Sequence, residues 1–228
     1  MKDPAIVTRR PRRRLTARMI VEHAMRLVRD DGLQAVTMRR LADELGTAPM
    51  SLYRHIPDRQ ALMVAMLDQV ARDIRFPPPA GDPRAEITAV LTAIHDALRR
   101  DSWAIGLIVT DKLAGPSIIP ALERLFAALR RAGLTLRDTR VAFALLWHYT
   151  VGELLDTHLD IPDDTYARRM VHDVDPESYP TLAAIAQAAP GGPPGDWFAE
   201  NLQRLLDGLL PRSPAADRPA APGEVTAR

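Results

Sequence analysis

Between Gly46 and Pro57 the chain sets Thr47, Ser51, Tyr53, Arg54 and His55 among the small residues Ala48 and Pro49. The Tyr53 hydroxyl and the His55 imidazole can donate hydrogen bonds to phosphate oxygens, contacts that fix register on a duplex without reading sequence. On a helix, Leu52 and Ile56 turn inward and these small and polar groups turn outward. A bulky apolar outer face would have argued against groove insertion. Base readout is thin: with Ala48, Pro49 and Met50 near the helix start, discrimination has to draw on thymine methyls and on DNA shape. His55 has two readings, a phosphate donor or a structural histidine closing the helix. Far upstream, Arg9, Arg10, Arg12, Arg13 and Arg14 form an arm suited to phosphates or to the narrow minor groove.

The rival chemistry is catalysis. Glu153, Asp156 and His158 lie within six residues, and His172, Asp173 and Asp175 add further oxygen and nitrogen ligands. On a helix Glu153 and His158 diverge by about 140° at roughly 100° per residue. That spacing forms neither a Glu-x-x-His di-iron pair nor a His-Glu-x-x-His zinc site. A Walker loop, a Gly-x-Ser-x-Gly elbow and a Gly-x-Gly-x-x-Gly turn are all missing from the sequence. No enzyme, no metal site and no cofactor is expected.

These side chains need elements to position them. Apolar residues recur at three- and four-residue spacing and period-two β-branched runs are lacking, so the sequence predicts an all-α chain of about nine to ten helices. Thr16 caps a first helix carrying Ile20, Ala24, Leu27 and Val28, which stops at Gly32. Thr37 caps a second, with Leu41, Ala42 and Leu45 facing inward, and Gly46 ends it. The third tolerates Pro49 in its first turn, where the missing N–H has no helical partner. The pair is a helix-turn-helix from Thr37 to His55, within a three-helix N-terminal domain. Asp58 caps a fourth helix to about Arg75, and Asp82-Pro83 opens a fifth. Further helices are expected at 102–113, 117–131, 136–159 and 181–189, and from Asp196 to Pro211. The acidic, proline-containing stretch from Ile161 to Pro176 reads as a loop, as does 190–195.

The resulting domains are a basic arm over 1–14, a DNA-binding domain over 15–75, a larger helical bundle over 76–211 and a disordered tail over 212–228. Charge follows this division. The overall +1 conceals 15 Lys/Arg against 9 Asp/Glu up to Arg75 and 15 against 20 beyond it. A basic front part fits a polyanionic partner. No cysteine is present, and no apolar run has signal-peptide or membrane-span length, so a soluble cytoplasmic protein with no membrane partner is expected.

The stretches Gly32-Leu33, Val36-Thr37-Met38-Arg39-Arg40-Leu41-Ala42-Asp43-Glu44-Leu45-Gly46, Ser51-Leu52-Tyr53-Arg54-His55-Ile56 and Asp58-Arg59-Gln60-Ala61-Leu62 together resemble the tetracycline-repressor (TetR) family of bacterial regulators. The resemblance implies that Thr37, Arg39, Tyr53 and His55 hold the DNA backbone while Thr47, Ala48, Pro49 and Ser51 face bases. Arg59 stands where the family usually has lysine and keeps the charge. More diffusely, Trp103, Gly115-Pro116, Leu122-Glu123-x-Leu125, Gly133, Val151-Gly152 and Leu206-Asp207-Gly208-Leu209 resemble the family's regulatory domain. By analogy, this likeness implies a homodimeric repressor that leaves its DNA operator when a small-molecule effector binds. The same fold also suits an activator or a partner-regulated protein, and a helical binding protein or enzyme without DNA binding is the other alternative. A dimer needs a symmetric helical face. The stripe Val141, Leu145, His148, Gly152 and Leu155 offers one, and the last helix another. Aromatic and polar residues among apolar helices, namely Trp103, Phe126, Phe143, Trp147, His148 and Tyr166, with His95, mark the region for a ligand pocket.

Overall fold

A computed structural model describes residues 15–158, 165–187 and 197–211. Among them the chain forms eleven α-helices and two short 3-10 turns, and no strand. The helices are α1 (Ala17–Asp31), α2 (Met38–Glu44), α3 (Pro49–Tyr53), α4 (Arg59–Asp73), α5 (Pro83–Arg100), α6 (Trp103–Val109), α7 (Ile119–Arg131), α8 (Leu136–His158), α9 (Tyr166–His172), α10 (Pro180–Gln187) and α11 (Trp197–Leu209). They divide into two compact units. One holds residues up to Ile74 together with Arg100–Ile119, the other Arg75–Arg99 with everything from Pro120 onward.

In the first unit the capping residues act as their types dictate. Thr16 Oγ1 accepts the Met19 N–H at 3.2 Å, Thr37 Oγ1 that of Arg40 at 3.2 Å, and Asp58 Oδ1 that of Ala61 at 2.7 Å. Each satisfies an amide that the first helical turn leaves without a partner. Ile20, Leu41, Leu52, Leu62, Met63 and Met66 are all but fully buried, so α1 to α4 share one core. Two further contacts bring residues 100–119 into this unit. Asp101, 2% exposed, faces Arg29 of α1 at 3.6 Å. The Asp68 carboxylate of α4 accepts the Ser117 N–H at 2.7 Å, in the 3-10 turn Pro116–Ile118. Gly115 lies so close to α4 that a Cβ there would collide with the Asp68 backbone.

The second unit is built on α5, α7, α8 and α11, with Ile87, Leu91, Leu125, Leu129, Leu146, Leu154, Leu202 and Leu206 buried between them. Polar ties cross the apolar core. Glu86, 2% exposed, receives the Arg124 Nε–H at 2.7 Å and the Ala80 N–H at 2.6 Å. His95 Nε2 lies 2.6 Å from Glu153 Oε2, and its ring stacks on Phe198 at 3.9 Å. The α9 and α10 helices pack on each other.

Three expectations are corrected. Residues 166–172 are helical where a loop was expected. The prolines and acids of that stretch crowd its two ends and leave Tyr166–His172 free to coil, closed by the Asp173 N–H on the Arg169 carbonyl. This helix brings the number to eleven. The α6 helix stops at Val109 instead of Leu113, because the chain turns through Lys112 at φ 56. The α7 helix starts at Ile119, two residues late, since Pro116–Ile118 form the 3-10 turn instead. The arm with Arg12, Arg13 and Arg14, the loop 190–195, Asp196 and the tail 212–228 lie outside the described residues.

Candidate nucleic-acid interface

The turn between α2 and α3 depends on Gly46, whose φ of 62 carries the chain into the left-handed region where a Cβ is strained. The Thr47 N–H then closes on the Ala42 carbonyl at 2.9 Å. Pro49 takes the first position of α3, and buried Leu52 and Ile56 hold the short helix against the core. Everything else on α3 turns outward. Ala48, Pro49, Met50, Tyr53, Arg54 and His55 are exposed, and Thr47 and Ser51 partly so. His55 is exposed and its ring has no partner among the described residues, while its backbone N–H closes on the Leu52 carbonyl at 2.8 Å.

Around this face the charged residues divide into two groups. Arg40 donates its Nε–H to Glu44 at 2.8 Å and also pairs with Asp31. Glu44 in turn meets His23 Nε2 at 2.7 Å, and Arg26 donates to His23 Nδ1 at 2.8 Å. With Nδ1 accepting from a guanidinium, the imidazole proton sits on Nε2 and points at Glu44. The Arg40 hydrogen bond, then that of His23, holds the Glu44 carboxyl below its ordinary value, while Glu44 and then Asp31 raise the Arg40 guanidinium. This network is spent on fixing α2 to α1. Arg39, Arg54 and Arg59 are exposed and have no ion pair among the described residues. Thr37 is also exposed. Its oxygen accepts the helix cap, and its hydroxyl proton remains free to donate outward.

Arg54 and Met50 complete the outward face although neither carries a role in the family resemblance. Arg54 was legible as a polar neighbour of Tyr53. Met50 was legible near the helix start, and its exposure follows from the burial of Leu52 two residues on.

The aromatic candidates of the larger domain are not gathered into one site. Phe126 and Phe143 meet with ring centroids 4.8 Å apart, and Trp147 is partly exposed on the same helix as Phe143. His148 and Tyr166 are exposed, and Trp103 lies in the first unit. Among the described residues, the clefts of the second unit include two of note. One of about 740 Å³ includes Asp82, Arg84, Arg131, Leu206 and Asp207, and one of about 550 Å³ lies along Leu136, Arg137, Arg140, Val141 and Ala144. None of the aromatic candidates lines either. His95, with Glu153 and Phe198, is a buried cluster that sequence spacing does not reveal, since its members stand on three different helices. Among the described residues no group of His, Asp or Glu has metal-holding geometry, and no helix is long and apolar enough to cross a membrane.

A short helix carrying an outward polar face, held by a glycine turn beside arginines that have no ion pair among the described residues, defines a helix-turn-helix DNA-binding regulator of transcription. Residues 20–66 match the tetR family of bacterial regulatory proteins, and residues 77–212 match the tetracyclin repressor-like C-terminal domain. The chain is 31% identical over 216 residues to the HTH-type transcriptional repressor DrrR1 of Streptomyces coeruleorubidus, covering 89% of this chain and 80% of that one. It is 25% identical over 207 residues to the class C tetracycline repressor protein of Escherichia coli, covering 86% and 91%. Among solved structures, ActR of Streptomyces coelicolor in complex with actinorhodin superposes with a TM-score of 0.72 at 25% identity, over 86% of this chain and 96% of ActR. The chain belongs to the TetR family of DNA-binding transcriptional regulators.

Proposed function

We propose that this protein is a cytoplasmic, homodimeric repressor that occupies an operator until a small apolar or amphipathic molecule enters its C-terminal domain. The observation that carries the reading is the division of labour on α2 and α3: Arg40 is consumed internally, while Arg39, Arg54 and the exposed face of α3 stay free. Thr37, Arg39, Tyr53, His55 and Arg59 hold phosphates, Thr47, Ala48, Pro49 and Ser51 face bases, and Arg12, Arg13 and Arg14 extend the grip. DNA binding belongs to residues 15–75 and regulation to 76–211, of which 100–119 pack in the same compact unit as the DNA-binding helices.

The regulatory half is supported by the likeness to ActR, whose structures include complexes with actinorhodin and with (S)-DNPA. The pocket lies in the second unit, with the Phe126–Phe143 contact as its nucleus. The dimer face is the α8 stripe of Val141, Leu145, His148 and Gly152, all exposed along one side of the helix. An effector acts by preferring the shape that cannot bind DNA, and full release from 99:1 occupancy requires about 5.5 kcal/mol of preference. The test is retention of duplex DNA from upstream of its own gene by the full-length protein. Binding that weakens with salt and is reversed by an aromatic probe such as actinorhodin is expected. Failure to retain that DNA at low salt refutes the repressor reading, and retention insensitive to aromatic probes refutes its ligand control.

A further inference from the structure

Within residues 15–74 only two large apolar or aromatic side chains are left exposed, Met50 and Tyr53, and both stand on α3. Tyr53 carries a hydroxyl and suits a phosphate. Met50 has no donor. It is 70% exposed, the second residue of α3, and two residues from fully buried Leu52, which on a helix places the two on opposite sides. The anchor that buries Leu52 thus aims Met50 outward. Ala48 and Pro49 beside it are short, so Met50 reaches further than either.

The first residues of a recognition helix meet base edges. The major-groove edges of adenine, guanine and cytosine offer hydrogen-bonding groups, whereas thymine alone adds an apolar one, its C5-methyl. A long, unbranched thioether adapts to such a contact without a hydrogen bond to satisfy. We propose that Met50 is a specificity-determining residue that reads one thymine methyl in each operator half-site. Arg54, the residue that caps the end of α3 and without an ion pair among the described residues, grips a phosphate and reads no base. This proposal rests on the DNA-binding reading above.

The experiment starts by selecting DNA from a randomised duplex pool with the full-length protein. Each thymine of the enriched half-site is then replaced by deoxyuridine, which removes only the methyl. At one position the swap is expected to weaken the wild-type protein about fivefold per half-site, the low end of what a single mismatched base pair costs. The same swap should cost Met50→Ala less than about twofold, because its partner is already gone. Met50→Gln, selected afresh, should exchange thymine for adenine at that position, since glutamine pairs bidentately with adenine. Arg54→Gln should keep the deoxyuridine penalty while reducing the slope of log affinity against log salt by about 0.9 per protomer. Because the Met50 side chain stands mostly in solvent, the thermal midpoint of its variants should match the wild type. If no deoxyuridine swap weakens the wild type, or if Met50→Ala keeps the full penalty, Met50 is not the reader. If the pool yields no enriched sequence at all, the DNA-binding premise falls, and the proposal with it.

Discussion

Arg39 and Arg40 are neighbours in sequence with different fates, and replacing each by glutamine separates DNA contact from fold. Arg39 is exposed and has no ion pair among the described residues, whereas Arg40 is bound by Glu44 and Asp31. If each Arg39 neutralises one phosphate, a dimer loses two contacts in Arg39→Gln. The slope of log affinity against log salt then falls by about 1.8, from about 0.9 per phosphate. Between about 50 and 200 mM salt, wild-type binding therefore weakens roughly twelvefold more than that of the variant. Arg40→Gln should leave the slope unchanged and lower the thermal midpoint, since it strips Glu44 and Asp31 of their shared cation. Fluorescence anisotropy across a salt series reads the first effect, and a melt followed by circular dichroism the second. Equal slope changes in the two variants would refute the claim that internal pairing removes Arg40 from the DNA face.

Gly115→Ala should destabilise by about 1–3 kcal/mol through overpacking against Asp68, lowering the melt by roughly 2–12 °C. Gly106→Ala on open α6, with nothing within 4 Å, should gain about 0.5–1 kcal/mol; equal melting of the two variants would remove the close-approach argument. At Glu86 the Arg124 hydrogen bond outweighs burial, so its carboxyl sits below the ordinary 4.5. Its stabilisation is thus complete above that value and lost as pH falls below it. Denaturant titrations at neutral pH and near pH 3.5 should show Glu86→Gln abolishing this component at a neutral-pH cost of about 2–3 kcal/mol, less than a fully buried pair because Arg124 keeps a quarter of its surface. Leu145→Glu, on the exposed side of α8, should convert dimer to monomer in sedimentation and weaken DNA binding steeply; an intact dimer would exclude the α8 stripe as the interface.

The DNA-facing half was readable because its signals are local. A threonine or aspartate cap acts within three residues, as Thr16, Thr37 and Asp58 show, and a glycine turn within one. Helix periodicity likewise located Leu41 and Leu52 in the core. What escaped depends on chain segments far apart. His95 meets Glu153 across 58 residues, and Asp68 caps a turn 49 residues away. The α9 helix escaped for another reason: its flanking acids and prolines dominate the average composition of the stretch, while seven residues between them suffice to coil. For the pocket, aromatic type marks a residue as buried or half-buried without saying which helices converge on it, so Phe126 and Phe143 meet while Tyr166 stands open.

The Arg29–Asp101 pair and the Gly115 approach to Asp68 constrain how this protein can be inherited. The body that carries the reading head is not a contiguous stretch of gene, since it ends at Ile74 and resumes at Arg100. A chimera spliced after Ile74 would graft this head onto a foreign α6, severing the Asp68–Ser117 and Arg29–Asp101 partnerships at once. Recombination between relatives must therefore move two separated segments together. Drift at Asp68 or Arg29 is answerable to residues that, in the linear gene, look like part of the sensor.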